Sequence, residues 1–165
     1  MTDQELVELA FTMLERSYVP YSHFPVGAAL ECADGTVFTG CNVENAAYGS
    51  SICAERTALV KAVSEGHRDD FTRIAVVGNS TEPCWPCGAC RQMLYEFAPG
   101  LTVLVAQRDH SFVKLPLSEL LTHGFGPFAE ICCFTVVSPG VMYCAISKSS
   151  NPIREISSGT LTPRS

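Results

Sequence analysis

The hydrophobic positions near the start of the chain recur at the spacing of an α-helix. Thr2 and Glu5 fit a capping box, in which each side chain bonds a backbone amide at the beginning of a helix. Apolar residues then repeat every three or four positions: Leu6, Leu9, Ala10, Met13 and Leu14. The pattern predicts a packing helix that continues to about Arg16.

Two runs rich in strand-forming residues follow, at residues 26–32 and 36–41. Ala33, Asp34 and Gly35 lie between them, and Asp-Gly is a strong turn signal. Pro20 and Pro25 interrupt the preceding segment, which is therefore a loop. The runs predict a β-hairpin.

Helical patterns alternate with short apolar runs over the next part of the chain. The predicted helices are 52–65, capped by Ser50 or Ser51, a helix that opens at Pro86, and a short helix at 116–121. The predicted buried strands are 73–78, 101–106 and 112–115. The last two strands should be antiparallel, because residues 107–111 are too few for a helical crossover. The fold class is α/β.

Composition narrows the function classes. The chain has 165 residues and a net charge of −6, which argues against binding a phosphate backbone and leaves a small or neutral partner. It shows neither a signal peptide nor an apolar run of about 18 residues, so we expect a cytoplasmic protein with no membrane contact. With nine cysteines in a reducing compartment, Cys-x-x-Cys indicates metal or redox chemistry.

The segment from Phe128 onward differs in character. Residues 131–137 and 141–146 are β-like, and the sequence from Ser147 is rich in Ser, Thr, Pro and Arg, which predicts disorder. We therefore expect a domain at 1–127 and a partly disordered extension at 128–165, for which the sequence indicates no function.

Three cysteines and one glutamate carry the candidate chemistry. Cys53 and Glu55 lie where one helix should begin, and Cys87 and Cys90 lie where another should begin. Three thiolates can hold Zn²⁺ with one position open, and a neighbouring carboxylate can move protons to and from a bound water. Arg56 could donate to a thiolate. The ordinary alternatives are an acidic residue at a helix start, a buried thiol and a surface arginine.

Cys84 leaves two further functions open. With Cys87 it forms a second Cys-x-x-Cys. A four-cysteine site would be a closed structural zinc module without catalysis, whereas a reactive Cys84/Cys87 pair would be a thiol oxidoreductase. Cys87 and Cys90 are favoured as ligands because they follow Pro86.

The loop after the hairpin offers polar groups for a ligand. The Asn42 amide and the Glu44 carboxylate could hold a vicinal diol. An ordinary Asx-type turn explains the same residues equally well.

Four segments together resemble the small homotetrameric cytidine deaminases. They are residues 24–30 (FPVGAAL), 42–49 (NVENAAYG), 53–57 (CAERT) and 86–92 (PCGACRQ). The resemblance covers about residues 5–127. It implies a three-layer α/β/α fold with a mixed five-stranded sheet.

The resemblance also implies a reaction and residue roles. Cytidine and 2′-deoxycytidine would be hydrolysed in pyrimidine salvage, by attack of zinc-bound hydroxide at C4. One zinc per subunit would be held by Cys53, Cys87 and Cys90, and Glu55 would shuttle protons. The nucleoside contacts would come from Phe24, Asn42 and Glu44, with Ala46, Tyr48 and Phe125 around the site, some of them from neighbouring subunits. The Asn-x-Glu pairing argues against the related blasticidin deaminases.

Overall fold

The computed structural model describes residues 1–126, 133–138 and 141–145. The helices are α1 (Asp3–Thr12), α2 (Ala54–Ser64), α3 (Gly88–Phe97) and α4 (Leu117–Leu120). The strands are β1 (Val26–Cys32), β2 (Val37–Cys41), β3 (Phe71–Gly78), β4 (Thr102–Ala106), β5 (Phe112–Pro116), β6 (Cys133–Ser138) and β7 (Val141–Ala145). Short 3₁₀ turns lie at Leu14–Arg16 and Tyr48–Ser50.

Five strands form one mixed sheet in the order β2-β1-β3-β4-β5. β3 and β4 are parallel, and every other neighbouring pair is antiparallel. The predicted hairpin and the predicted antiparallel pairing of β4 with β5 are both confirmed. Because β2 and β3 are each antiparallel to β1, they run in the same direction and end at the same edge of the sheet.

Helices cover both faces of this sheet, which confirms the three-layer fold. Successive residues of a strand point to opposite faces. On one face α1 packs on the sheet through Leu6, Val7, Ala10, Ala29, Ala75, Val77, Leu104 and Ala106. On the other face α2 and α3 pack through Ala58, Leu59, Ala62, Leu94, Ala28, Leu30, Ile74, Val76 and Val103.

Three predicted helix boundaries are wrong. α1 ends at Thr12, and a 3₁₀ turn takes the chain on to Arg16. The N-cap of α2 is Cys53, because the Ser51 hydroxyl instead accepts the Asn45 N–H at 3.1 Å. The N-cap of α3 is Cys87, so Pro86 lies just outside the helix.

Met1–Phe125 form one compact unit, and β6 and β7 belong to a second unit. β6 and β7 pair as an antiparallel hairpin within residues predicted to be β-like. The predicted disorder from Ser147 onward lies outside the described residues, and the domain boundary at residue 127 stays a prediction. In the part of the chain described here, no helix has the length and apolar character that a membrane span requires.

Candidate active site

The ends of β2 and β3 meet at one edge of the sheet, with the start of β1 between them. Val26 pairs with Gly78, and Gly27 pairs with Cys41. Because α2 follows β2 and α3 follows β3, both helices begin near this edge. The topology therefore brings together two helix N-termini that the sequence separates by more than thirty residues.

Three cysteine thiols meet where these helices begin. The Cys53 and Cys87 sulfurs are 3.8 Å apart, and those of Cys87 and Cys90 are 3.5 Å apart. All three sulfur atoms lie within 4.8 Å of one another. Tetrahedral zinc with Zn–S bonds near 2.3 Å places its sulfur ligands ~3.8 Å apart. The three residues therefore fit a zinc ion and leave a fourth position for another ligand.

Hydrogen bonds link the three thiols to one another and to a nearby arginine. A hydrogen bond from the Cys90 thiol, with further ones from Arg56 and Cys87, lowers the pKa of Cys53 to about 5. The pKa of Cys90 is raised, because its proton is held against Cys53 and its side chain is buried. Arg56 Nη2 donates to the Ser51 carbonyl oxygen at 3.1 Å and to the Cys53 sulfur at 3.5 Å. Arg56 therefore lies against the thiol cluster, where its charge stabilises a thiolate.

Glu55 occupies the first turn of α2, and its side chain points inward. The residue is only 3% exposed. Burial raises the pKa of its carboxyl group, and the neighbouring Cys53 thiolate acts in the same direction. An acidic residue that serves only the helix dipole has no need to leave solvent. Burial beside the thiols favours a chemical role for Glu55 over an ordinary helix-start preference.

A cleft of about 620 Å³ opens beside Cys53, Cys87 and Glu55. Among the residues expected at the site, its walls include Asn42, Glu44, Tyr48, Cys53, Glu55, Arg56 and Cys87. Its walls do not include Phe24, Ala46, Cys90 or Phe125. The cleft has the size and the mixed polar and apolar walls of a small-molecule site.

Tyr21, Ser22 and Trp85 also line the cleft, although the sequence did not identify them. Trp85 is 45% exposed and lies in the chain between Cys84 and Pro86. An aromatic residue two positions before Cys87 was the available signal.

Asn42 and Glu44 hold the backbone that forms one wall of the cleft. Asn42 Oδ1 accepts the Val26 N–H and Nδ2 donates to the Phe24 carbonyl oxygen, both at 2.9 Å. Glu44 Oε2 accepts the backbone N–H groups of Tyr21 at 2.9 Å and Ser22 at 3.2 Å. These bonds connect segments distant in sequence. The local Asx-type turn is instead made by Asn45, whose Oδ1 accepts the Ala47 N–H.

The three residues that the resemblance places around the site, Ala46, Tyr48 and Phe125, are exposed. Tyr48 is 74% exposed and Phe125 is 67% exposed, and Ala46 is also on the surface. Gln92 of α3 holds the Phe125 backbone through hydrogen bonds to its N–H and its carbonyl oxygen. Phe24 is 38% exposed and lies near Gly78. The cleft within one chain is formed without Ala46 and Phe125.

Cys84 is separate from the thiol cluster. It lines the cleft, but among the described residues the group of ligand atoms within 4.8 Å of one another at this place consists of Cys53, Cys87 and Cys90. Burial raises the pKa of Cys84 to about 11, so its thiol is protonated at neutral pH. Its position outside the thiol group disfavours a fourth ligand, and its raised pKa disfavours a reactive thiol.

Comparison with known proteins agrees with this geometry. Residues 1–106 match the family model "Cytidine and deoxycytidylate deaminase zinc-binding region". Cytidine deaminases of Sporosarcina psychrophila and Halalkalibacterium halodurans are 52% and 48% identical over 126 residues, covering 76% of this chain and 92% and 95% of theirs. A crystal structure of cytidine deaminase from Burkholderia pseudomallei is 47% identical, with a TM-score of 0.74, over 76% of this chain and 100% of that one.

A blasticidin-S deaminase from Bacillus cereus is more distant, at 32% identity over 126 residues. Its similarity indicates the shared zinc-binding region, whereas the higher identities favour the cytidine deaminases.

Proposed function

The chain belongs to the cytidine and deoxycytidylate deaminase family, and from this premise we propose that it hydrolyses cytidine and 2′-deoxycytidine to uridine, 2′-deoxyuridine and ammonia. One observation carries the proposal. Three thiols lie at zinc-coordinating distances, and two of them, Cys53 and Cys87, line the same cleft as the buried carboxyl group of Glu55.

Cys53, Cys87 and Cys90 would hold one zinc ion per chain. When bound there, zinc would supply a Lewis acid that lowers the pKa of water in its fourth position. Three thiolates would make the site anionic, which weakens that effect. Arg56 and the N-termini of α2 and α3 offset the negative charge, Arg56 through its hydrogen bond to the Cys53 sulfur.

Glu55 moves the protons of the reaction. Its carboxylate accepts a proton from the attacking water and delivers it to N3 of the pyrimidine. It then takes the remaining proton from the hydroxyl group added at C4 and gives it to the amino group, which leaves as ammonia while C4 becomes a carbonyl. Burial raises the pKa of the Glu55 carboxyl group, so it holds a proton more readily than an exposed carboxyl group and can donate as well as accept one.

Asn42 and Glu44 recognise the sugar, and Phe24 packs against the nucleoside. Both polar side chains line the cleft and are held in place by backbone hydrogen bonds. Free cytosine lacks the sugar hydroxyl groups that these side chains would bind and should be a poor substrate. The carboxylate of Glu44 and the net charge of −6 disfavour nucleotides that carry a phosphate.

We assign catalysis to residues 1–127 of a cytoplasmic homotetramer that acts in pyrimidine salvage, with residues 128–165 as an extension. Ala46, Tyr48 and Phe125 would then complete the active sites of neighbouring subunits. Their exposure supports this assignment, because aromatic side chains left in solvent around a site are suited to contact with another chain.

The test is ammonia release from cytidine by the full-length protein, with zinc quantified on the same sample. We expect turnover together with zinc bound at the Cys53, Cys87 and Cys90 site. A matched Cys87→Ser variant identifies the zinc that belongs to that site. The proposed function would be contradicted if zinc is bound at this site but cytidine, 2′-deoxycytidine or both are not deaminated.

A further inference from the structure

A second group of potential metal ligands lies at the sheet edge opposite the cleft. Cys32 ends β1, and Asp34 lies in the turn that leads to β2. His67 and Asp70 lie in the connection from α2 to β3. One potential ligand atom from each of these four residues lies within 4.8 Å of the others.

Backbone contacts place the two segments firmly against each other. The Ala33 N–H donates to the Asp70 carbonyl oxygen at 2.7 Å, and Cys32 pairs with Phe71 in the sheet. His67 Nδ1 lies 2.7 Å from Asp70 Oδ2. The four residues therefore belong to two segments that backbone hydrogen bonds hold against each other.

One oxygen in this group has no partner. Asp70 Oδ1 is out of contact with solvent and makes no hydrogen bond within the described residues. An unpaired buried carboxylate oxygen is costly. Cys32 is also buried, with 2% of its surface exposed. The cluster thus places an unpaired carboxylate oxygen near a buried thiol.

The donor atoms indicate the class of cation. A thiolate, an imidazole and two carboxylates are all zinc ligands. Calcium and magnesium prefer sites built of oxygen atoms, and a sulfur ligand disfavours both. We propose that Cys32, Asp34, His67 and Asp70 form a second metal site that binds a divalent transition metal of the zinc class.

This site would be structural. It lies outside the substrate cleft, and its ligands join the β1–β2 hairpin to the connection after α2. Bound metal would replace the thiol proton of Cys32 and the proton between His67 and Asp70. It would fix the segment after the C-terminal end of α2, the helix whose first turn carries Glu55.

The experiment compares zinc binding by the full-length wild type with His67→Asn and Cys32→Ser. Zn²⁺ is titrated against a chromophoric chelator, and the thermal unfolding midpoint is recorded with and without excess Zn²⁺. Each variant should bind one zinc fewer than the wild type. Zinc at about 100 times its Kd should raise the wild-type midpoint by roughly 5–10 °C more than that of either variant.

His110→Asn is the matched control. His110 Nδ1 lies 2.8 Å from Glu8 Oε1, so this pair resembles His67 and Asp70 but lies outside the four-residue cluster. The control should bind as much zinc as the wild type, and Mg²⁺ should not substitute. Equal zinc binding by wild type and His67→Asn, or equal stabilisation by Mg²⁺, would overturn the proposal. Cytidine turnover on the same samples reports on the proposed function separately.

Discussion

Glu55 is the residue at which the proposed chemistry can be tested most directly. Replacing it by Gln keeps the shape of the buried side chain and removes its ability to carry a proton. We expect kcat to fall by about 10²–10⁴-fold, the usual contribution of a general acid–base, while zinc stays bound. Steady-state deamination rates and zinc analysis check this.

Glu65→Gln provides the control, because Glu65 is the exposed C-cap residue of the same helix. Its activity should equal that of the wild type. If Glu55→Gln kept more than a tenth of the wild-type rate with its zinc intact, Glu55 would not be the proton carrier.

Substitution of single cysteines distinguishes the proposed zinc ligands from Cys84. Cys87→Ser removes a thiolate whose sulfur is 3.5 Å from Cys90 and 3.8 Å from Cys53, so zinc and activity should both be lost. Cys84→Ser should retain both, because the Cys84 thiol is not part of that group. Zinc content and turnover of the two variants give the answer. If Cys84→Ser lost its zinc as well, that result would instead support a four-cysteine site.

At the scale of elements, the close approach of α2 to β2 is set by a glycine. A Cβ atom at Gly40 would lie 2.4 Å from the Ala54 carbonyl oxygen and 2.5 Å from the Ala58 backbone nitrogen. Gly40→Ala must therefore push away the helix that carries Glu55. We expect a loss of about 1–3 kcal/mol in unfolding free energy and weaker zinc binding, measured by denaturant unfolding and chelator competition.

Gly100→Ala is the corresponding control, since no atom lies within 4 Å of a Cβ built there. Its stability and zinc affinity should match the wild type. Equal behaviour of the two alanine variants would show that α2 does not depend on contact at Gly40.

The start of α1 is joined to the sheet by a charged group. Lys114 Nζ donates to Asp3 Oδ2 at 2.7 Å, and Arg73 donates to the other Asp3 oxygen. The hydrogen bond from Lys114 is the largest cause that lowers the pKa of Asp3, and Arg73 adds to it. Asp3→Asn should therefore cost about 0.5–1 kcal/mol at pH 7, as expected for a half-exposed pair.

The pH dependence of this cost has a definite sign. Because the folded-state pKa of Asp3 is below its ordinary value of 3.8, the stabilisation is complete above that value. It is lost as the pH falls through the lowered folded pKa. Urea unfolding of both proteins from pH 7 to pH 2 should show the difference converging at the acid end. Glu15→Gln, an exposed change near the end of α1, serves as control, and a difference that persists at pH 2 would exclude the charge mechanism.

For the whole molecule, the proposed tetramer predicts a particle of about four times the chain mass of 17.8 kDa in light scattering. Phe125→Ala should raise KM for cytidine. It should leave the unfolding free energy of a single chain nearly unchanged, because Phe125 is 67% exposed. Val60→Ala, at another exposed apolar position, should leave KM unchanged. A fully active monomer would contradict the shared-site arrangement.

Much of the fold follows from the sequence because both faces of the sheet are buried and its helices are amphipathic. The alternation of Ile74 and Val76 with Ala75 and Val77 predicts a strand covered on two sides, and that is where the strand lies. The helix starts were harder to predict. Ser51 has the better capping side chain, but its hydroxyl bonds Asn45, and a cysteine takes the cap position.

The candidate site, like the fold, could be predicted from the sequence only in part. Spacing and residue type are enough to single out Cys53, Cys87, Cys90 and Glu55, because they form compact motifs at helix starts. Trp85 and Tyr21 could not be assigned to the cleft, since their positions depend on how two loops fold against each other. Local patterns do not specify that packing.

The position of the thiols on the chain has a consequence for folding. Cys53 and Cys87 are 34 positions apart, so a metal held by both would close a large loop in the unfolded chain as a covalent cross-link does. Loop-closure entropy assigns about 4 kcal/mol to a cross-link over that length. Such an ion would stabilise the folded chain as well as take part in the reaction. Zinc starvation would then reduce the amount of enzyme through unfolding and proteolysis, in addition to reducing the activity of each molecule.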